Sequence, residues 1–163
     1  MLSKRISAIA IGTCLTIGVS FTEPVAASWA PDVSMSTARA QHASALLDDG
    51  SLAVFGGVNR GGFVSDAERF SGGSWSTAGS VGIQGNTMEA VTLGTGQVLV
   101  RSDGSKLARL YDPVTNAWSD TGLQTIQRSL PSMTLLANGK VLLAGGASSG
   151  GVRESSVEIY DPL

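Results

Sequence analysis

Few side chains in this 163-residue sequence are suited to chemistry. His42 is the single histidine, Tyr111 and Tyr160 are the two tyrosines, and Cys14 is the one cysteine. An imidazole can act as general base or metal ligand near neutral pH. A nitrogen- or sulfur-based metal site needs several such donors, however, and one histidine does not supply them. A packing or hydrogen-bonding role for His42 is the simpler reading. Asp48-Asp49-Gly50 has the acidity of a calcium loop, but SLAVF follows where further oxygen ligands would stand. That stretch therefore reads as a hairpin turn. The glycine clusters GGVNRGG (56–62) and GGASSGG (145–151) lack the lysine and the following helix of a phosphate-binding loop. Arg60, Phe63, Arg101, Lys106, Ser148 and Arg153 fall in or beside connections, where solvated loop residues are the ordinary expectation. No catalytic, cofactor-binding or metal-binding residue is assigned, and no cofactor is expected.

The elements that must carry these residues come from a repeat. Trp29, Trp75 and Trp118 are spaced by 46 and 43 residues, and Gly50, Gly96 and Gly139 by the same two steps. Each glycine stands between two apolar runs: ASALLDDGSLAVFGG, AVTLGTGQVLVRSD and TLLANGKVLLAGG. A third run follows and ends in an aromatic, at Phe70, Tyr111 and Tyr160. In YDPVTNAW the chain then turns towards the next tryptophan. Asn138-Gly139 is a strong hairpin signal because both residues tolerate positive φ. Each unit thus predicts four short strands, and units of about 45 residues with four strands apiece match the blades of a β-propeller. The middle unit has Ser102-Asp103 where its neighbours have Gly56-Gly57 and Gly145-Gly146. It also has Gly85 where they have Arg39 and Arg128. Its glycine-dependent close packing is the doubtful point of the repeat.

Lys4 and Arg5, the apolar stretch from Ile6 to Phe21, and the small residues Val25-Ala26-Ala27 form the pattern of a secretory signal peptide cleaved after Ala27. The stretch is shorter than the roughly 20 apolar residues of a membrane span. A secreted, periplasmic or cell-surface protein with no span after cleavage is expected. Residues 28–163 then carry 9 Lys+Arg against 12 Asp+Glu with no basic run, which argues against nucleic acid as a partner. Cys14 leaves with the signal, so packing and strand pairing alone must hold the fold.

In its R-x-x-H pair (Arg39, His42), its Gly-Gly pairs (Gly56-Gly57, Gly145-Gly146), its Tyr-Asp-Pro segments at Tyr111 and Tyr160, and its spaced Trp75 and Trp118, the sequence resembles the kelch repeats. Its flavour is that of bacterial kelch proteins and of the propeller of galactose-oxidase-like proteins. The resemblance covers nearly all of residues 28–163, in units of about 28–72, 73–115 and 116–163. It implies an all-β, kelch-type propeller of about three four-stranded antiparallel blades, as a partial propeller or as half of a closed ring. Arg39, His42, Gly56, Gly57, Trp75, Tyr111, Trp118, Arg128, Gly145, Gly146 and Tyr160 are its structural repeat positions. Galactose oxidase and its relatives hold copper with two tyrosines and two histidines, one tyrosine being cross-linked to a cysteine. This chain offers one histidine, two repeat-positioned tyrosines and no cysteine beyond the signal. The expectation is therefore an exported scaffold without catalysis, binding a protein or carbohydrate ligand through its inter-strand loops. Self-association could close the ring, because no fourth strand follows Tyr160. The alternative is a piece of a larger galactose-oxidase-like or carbohydrate-active enzyme whose catalytic residues lie in other blades.

Overall fold

The computed structural model describes Ser7–Ile9, Thr16–Gly18 and residues 28–163. Most of the expected signal peptide, including its cleavage point after Ala27, lies outside the described residues. The chain divides into two units, Met1–Asp32 and Val33–Leu163. In the first, β1 (Ser7–Ile9) pairs antiparallel with β2 (Thr16–Gly18). Trp29, expected on a fourth strand, belongs to no strand. A fourth strand exists only where a third strand offers an edge to pair with, and Trp29 has no such pairing.

The second unit is all-β. Its first blade has β3 (Ala43–Leu46), β4 (Leu52–Phe55), β7 (Asp66–Ser71) and β8 (Ser74–Ser80), paired in that order. A two-stranded hairpin, β5 (Val58–Asn59) and β6 (Gly62–Phe63), is inserted between β4 and β7. The second blade has β9 (Met88–Thr92), β10 (Val98–Ser102), β11 (Leu107–Asp112) and β12 (Ala117–Leu123). The third has three strands, β13 (Ser132–Leu135), β14 (Val141–Ala144) and β15 (Val157–Tyr160). All pairings are antiparallel, and Trp75 and Trp118 face Phe70 and Tyr111 on the neighbouring strand. The first strands β3, β9 and β13 lie side by side, so the blades fan out around them as in a partial propeller.

The hairpin turns explain the 46- and 43-residue glycine steps. The Gly50, Gly96 and Gly139 amides donate to the carbonyls of Leu47, Leu93 and Leu136 at 2.9, 3.0 and 2.9 Å. Each glycine has φ between +80° and +83°, so each loop is a tight turn followed by one left-handed residue. Asn138 does not share the positive φ expected of it. Its Oδ1 instead accepts the Lys140 amide at 3.1 Å, so the side chain braces the turn from an ordinary backbone conformation. In YDPVTNAW, Asp112 Oδ1 accepts the amides of Val114 and Thr115 at 2.9 and 3.2 Å, while Tyr111 and Asn116 are joined through OH and Oδ1 at 3.0 Å.

The core sits between blades. Phe55, Ala67, Ala78, Val81, Val98, Val100 and Tyr111 are fully buried where the first two blades meet. Leu93, Leu99, Ala108 and Val141 form a smaller cluster between the second and third.

Candidate functional site

The antiparallel order sends the connections to two opposite ends. Turns between first and second strands and between third and fourth strands lie at one end. Connections from second to third strand and from one blade to the next lie at the other. This second end carries the long, glycine-rich loops, and buried arginines hold them. Arg39 reaches the carbonyls of Gly56 and Asp66 through Nη1 at 2.9 and 2.8 Å, and the carboxylates of Asp66 and Glu68 through Nη2 at 2.8 and 2.6 Å. Arg128 repeats this in the third blade, reaching the carbonyls of Gly145 and Ser156 and the Glu158 carboxylate at 2.9, 3.0 and 2.8 Å. Glu68 also accepts the Ser36 and Thr37 amides, and Glu158 those of Thr125 and Ile126. Burial alone would raise both carboxyls, but these donated bonds outweigh it and hold them below the usual range.

The Gly-Gly pairs let this loop end pack tightly. A Cβ on Gly57 would stand 2.5 Å from the Ala40 carbonyl, and one on Gly146 2.6 Å from that of Ser129. In the middle blade the close approach moves to other glycines. A Cβ on Gly85 would meet the Gly104 amide at 2.8 Å, and one on Gly104 the Gln84 carbonyl at 2.7 Å. Ser102-Asp103 therefore does not loosen this blade. Arg101, read from sequence as a connection residue, is instead part of β10 and buried, bound to Glu89 at 2.6 Å and to the Arg128 carbonyl at 2.6 Å. Burial pushes the Glu89 carboxyl up despite the Arg101 hydrogen bond and charge.

Between the loops lies an open depression of about 410 Å³, lined by Phe63, Gln84, Gly85, Asn86, Asp103 and Ser129 among others. Phe63, at the end of the β5–β6 hairpin, is half exposed. Asp103 Oδ1 accepts the Leu130 amide at 3.2 Å. An exposed ring beside amides and a carboxylate can stack on an apolar face while exchanging hydrogen bonds with hydroxyl groups. Sequence reading singled out Phe63 among these residues, but not Gln84, Asn86 or Asp103. Their signal is positional, since all three lie in connections at the loop end. Of the other loop residues, Arg60 is exposed near the hairpin tip, Lys106 donates to the Thr125 carbonyl at 2.7 Å, and Ser148 and Arg153 lie around the short 3₁₀ turn Ser149–Gly151.

The tyrosines and the histidine are not brought together. Tyr111 is sealed between the first two blades, and Tyr160 lines the groove between the second and third. His42 lines a depression on the first blade with Val33, Thr37 and Trp75, and burial, then Arg39, lower its pKa. Among the described residues no group of three or more His, Cys, Asp and Glu side chains could hold a metal ion. The donor set of a copper oxidase does not assemble from them. No helix among the described residues is long and apolar enough to cross a membrane.

No protein-family model matches the chain. Two galactose oxidase sequences from Gibberella zeae are each 33% identical to it over 70 residues, covering 42% of this chain and 10% of theirs. The solved structure of a fungal alcohol oxidase of the AA5 family, in complex with copper, superposes with a TM-score of 0.66 at 17% identity, over 76% of this chain and 31% of that one. The chain thus spans about a tenth of the length of the first and under a third of the second. The likeness to galactose oxidase, an enzyme, overturns the expectation of a protein outside enzymology, while the likeness to the copper-bound structure shows the fold alone. That expectation rested on counting metal donors within these residues alone. A segment matching under a third of an oxidase need not hold the donors that the oxidase holds elsewhere. In fold, the chain is a galactose-oxidase-like domain of β-propeller type.

Proposed function

We propose that this chain is the kelch-type propeller section of an exported galactose-oxidase-like oxidase. The observation that carries the reading is the 33% identity to galactose oxidase over 70 residues, on a chain whose fold matches a copper alcohol oxidase. In this reading the blades are the rigid support and the loop end faces the substrate. The depression around Phe63, Gln84, Asn86 and Asp103 binds a hydroxyl-rich molecule such as a sugar, by ring stacking and hydrogen bonds. The copper donors lie in other blades of the same enzyme, which agrees with the separate placement of His42, Tyr111 and Tyr160. Residues 1–27 act as its export signal, and residues 28–163 form the folded section.

The test is made on the native protein from its source. Its intact mass and reading frame are determined, and oxygen uptake is measured with copper and galactose or a simple primary alcohol. Further repeat units carrying paired histidines and a cysteine, together with alcohol-dependent oxygen uptake, are expected. A native polypeptide confined to these 163 residues that consumes no oxygen with any of these alcohols overturns the reading. Phe63→Ala and Asp103→Asn should each raise the KM for galactose with little change in kcat, because both groups bind and neither reacts.

A further inference from the structure

We propose that the loop end binds a carboxylate-bearing sugar chain, with Arg60 and Arg153 gripping its carboxylates on either side of the depression that holds one ring against Phe63. The inference rests on the functional reading above for the sugar ring and adds the charge of the chain.

Almost every cation of this chain is committed internally. Arg39, Arg69, Arg101, Arg109 and Arg128 each meet a carboxylate, as does Lys140, and Lys106 donates to a carbonyl. Arg60 and Arg153 are exposed, and among the described residues neither guanidinium has a hydrogen-bond or ion-pair partner. Both stand at the loop end, one in each glycine-rich loop. The excess of acid sits at the opposite end, where Asp48, Asp49, Asp112 and Asp161 are matched only by Arg69 and Lys140. A field of that polarity directs an approaching anion to the loops.

The backbone pairing places the two arginines on different sides of the depression. Phe63 pairs with Val58 in the β5–β6 hairpin, whose two turn residues are Arg60 and Gly61. Two repeat steps later Ala147 stands where Val58 does, bridged on one side to Ser129 and on the other to Arg153. Phe63 and Ser129 both line the depression. Arg60 therefore stands on its Phe63 side and Arg153 on its Ser129 side. Paired backbones lie about 4.8 Å apart, so Arg153 starts roughly 10 Å beyond Ser129. That spread suits separate units of a chain and not a single carboxylate. The neighbouring acids do not quench these arginines. Asp103 lies 3.7 Å from Arg101 and accepts the Leu130 amide, while Glu154 accepts the Ser156 hydroxyl at 3.2 Å. A guanidinium takes a carboxylate through two parallel N–H···O bonds. Neutral sugars offer no such acceptor, so the free pair selects for acid-bearing rings.

The experiment measures binding of an oligogalacturonate to the native-length protein by isothermal titration calorimetry at low salt. Two probes stand beside it: its methyl ester, which keeps the rings and removes the charge, and polyglutamate, which keeps the charge and removes the rings. Oligogalacturonate should bind at least about tenfold more tightly than either, with an affinity that falls as salt is added. Arg60→Gln and Arg153→Gln should each weaken it about tenfold, and Arg60→Lys less. All three variants should melt with the wild type, because neither side chain has an internal partner. No binding of the oligogalacturonate, equal binding of its methyl ester or of polyglutamate, or wild-type affinity in either glutamine variant overturns the proposal. Binding is read without turnover. A protein that binds as described but takes up no oxygen with any alcohol sinks the oxidase reading alone, and an active oxidase indifferent to the carboxylate sinks this site alone.

Discussion

The outer blades and the middle blade meet the same backbone demand with different side chains. At the loop end of each blade, the carbonyls around the Gly-Gly turn and the amides of the incoming connection are turned inward and must find partners. The first and third blades use an arginine from the connection and a glutamate two residues before the strand-ending aromatic: Arg39 with Glu68, and Arg128 with Glu158. The middle blade has lost both members together. Gly85 stands in the arginine position and Arg109 in the glutamate position. Arg109 instead reaches the Val81 carbonyl at 3.1 Å and lies 5.9 Å from the centre of the Trp118 ring. A second buried arginine, Arg101, paired with Glu89, ties the middle blade to the third through the Arg128 carbonyl. What the fold requires is satisfied carbonyls and a close backbone approach. The arginine–glutamate pair is one of two ways this chain meets that requirement.

The strongest way to break the comparison is to remove an outer-blade arginine. Arg128→Ala leaves the Glu158 charge without its buried partner and strips the Gly145 and Ser156 carbonyls of their donor. Truncating one member of such a pair costs about 3–5 kcal/mol. A urea midpoint should therefore fall steeply, and Arg39→Ala should behave alike. A loss no larger than that of a surface substitution would mean the networks decorate the blades without holding them. Next comes the close approach. Gly57→Ala places a Cβ 2.5 Å from the Ala40 carbonyl at φ +103° and should cost about 3 kcal/mol. Gly50→Ala has comparable φ but nothing within 4 Å, and should cost about 1 kcal/mol. Equal losses would show that backbone conformation, and not contact, fixes these glycines.

The repeat itself was legible because glycine and tryptophan mark it physically. A glycine after each first strand is needed for the left-handed residue of the turn, and Trp75 and Trp118 each stand opposite the aromatic that ends the third strand, so both recur at the blade period, whereas Trp29 keeps the spacing but lies in no strand. The positions of Arg39 and Arg128 were legible for the same reason, although their glutamate partners were not. Glu68 and Glu158 lie about 30 residues from the arginines, and nothing local marks them. Arg101 was misread because an arginine followed by serine and aspartate looks like the start of a loop. Its burial depends on Glu89, twelve residues earlier on the paired strand. Gln84, Asn86 and Asp103 were missed because the depression joins four connections, and their meeting is a property of blade packing alone. The enzyme reading stands in the sequence only as the alternative for a different reason: donors absent from these residues say nothing about donors elsewhere.

Acid should separate the two kinds of glutamate. Glu68 and Glu158 titrate below the ordinary range when folded, so the stability they add is complete above the unfolded value and is lost as pH falls through the folded one. Glu89 is raised by burial, so its protonated form favours the folded state, and its effect runs the other way. Urea midpoints followed from neutral pH downward should drop once the ordinary glutamate range is passed. Glu158→Gln should flatten that drop, and Glu89→Gln should leave it in place. A drop abolished by Glu89→Gln would place the acid sensitivity in the middle blade and reverse the comparison.

The smallest effect belongs to the middle blade's exposed ion pair. Arg109 Nε and Asp120 Oδ1 are 2.8 Å apart, but Asp120 is 64% exposed. Water screens such a pair, and holding two side chains in register offsets much of what remains. Asp120→Asn should therefore move the urea midpoint by no more than about 0.5 kcal/mol equivalent, and added salt should shrink even that. The Arg109 guanidinium keeps its place through the Val81 carbonyl and the Trp118 ring, neither of which needs Asp120. A loss above about 1 kcal/mol would mean that Asp120 holds Arg109 in position against the indole. The middle blade would then depend on a charge pair as its neighbours do, with the pair moved from the buried loop end to the solvent-facing side of β11 and β12.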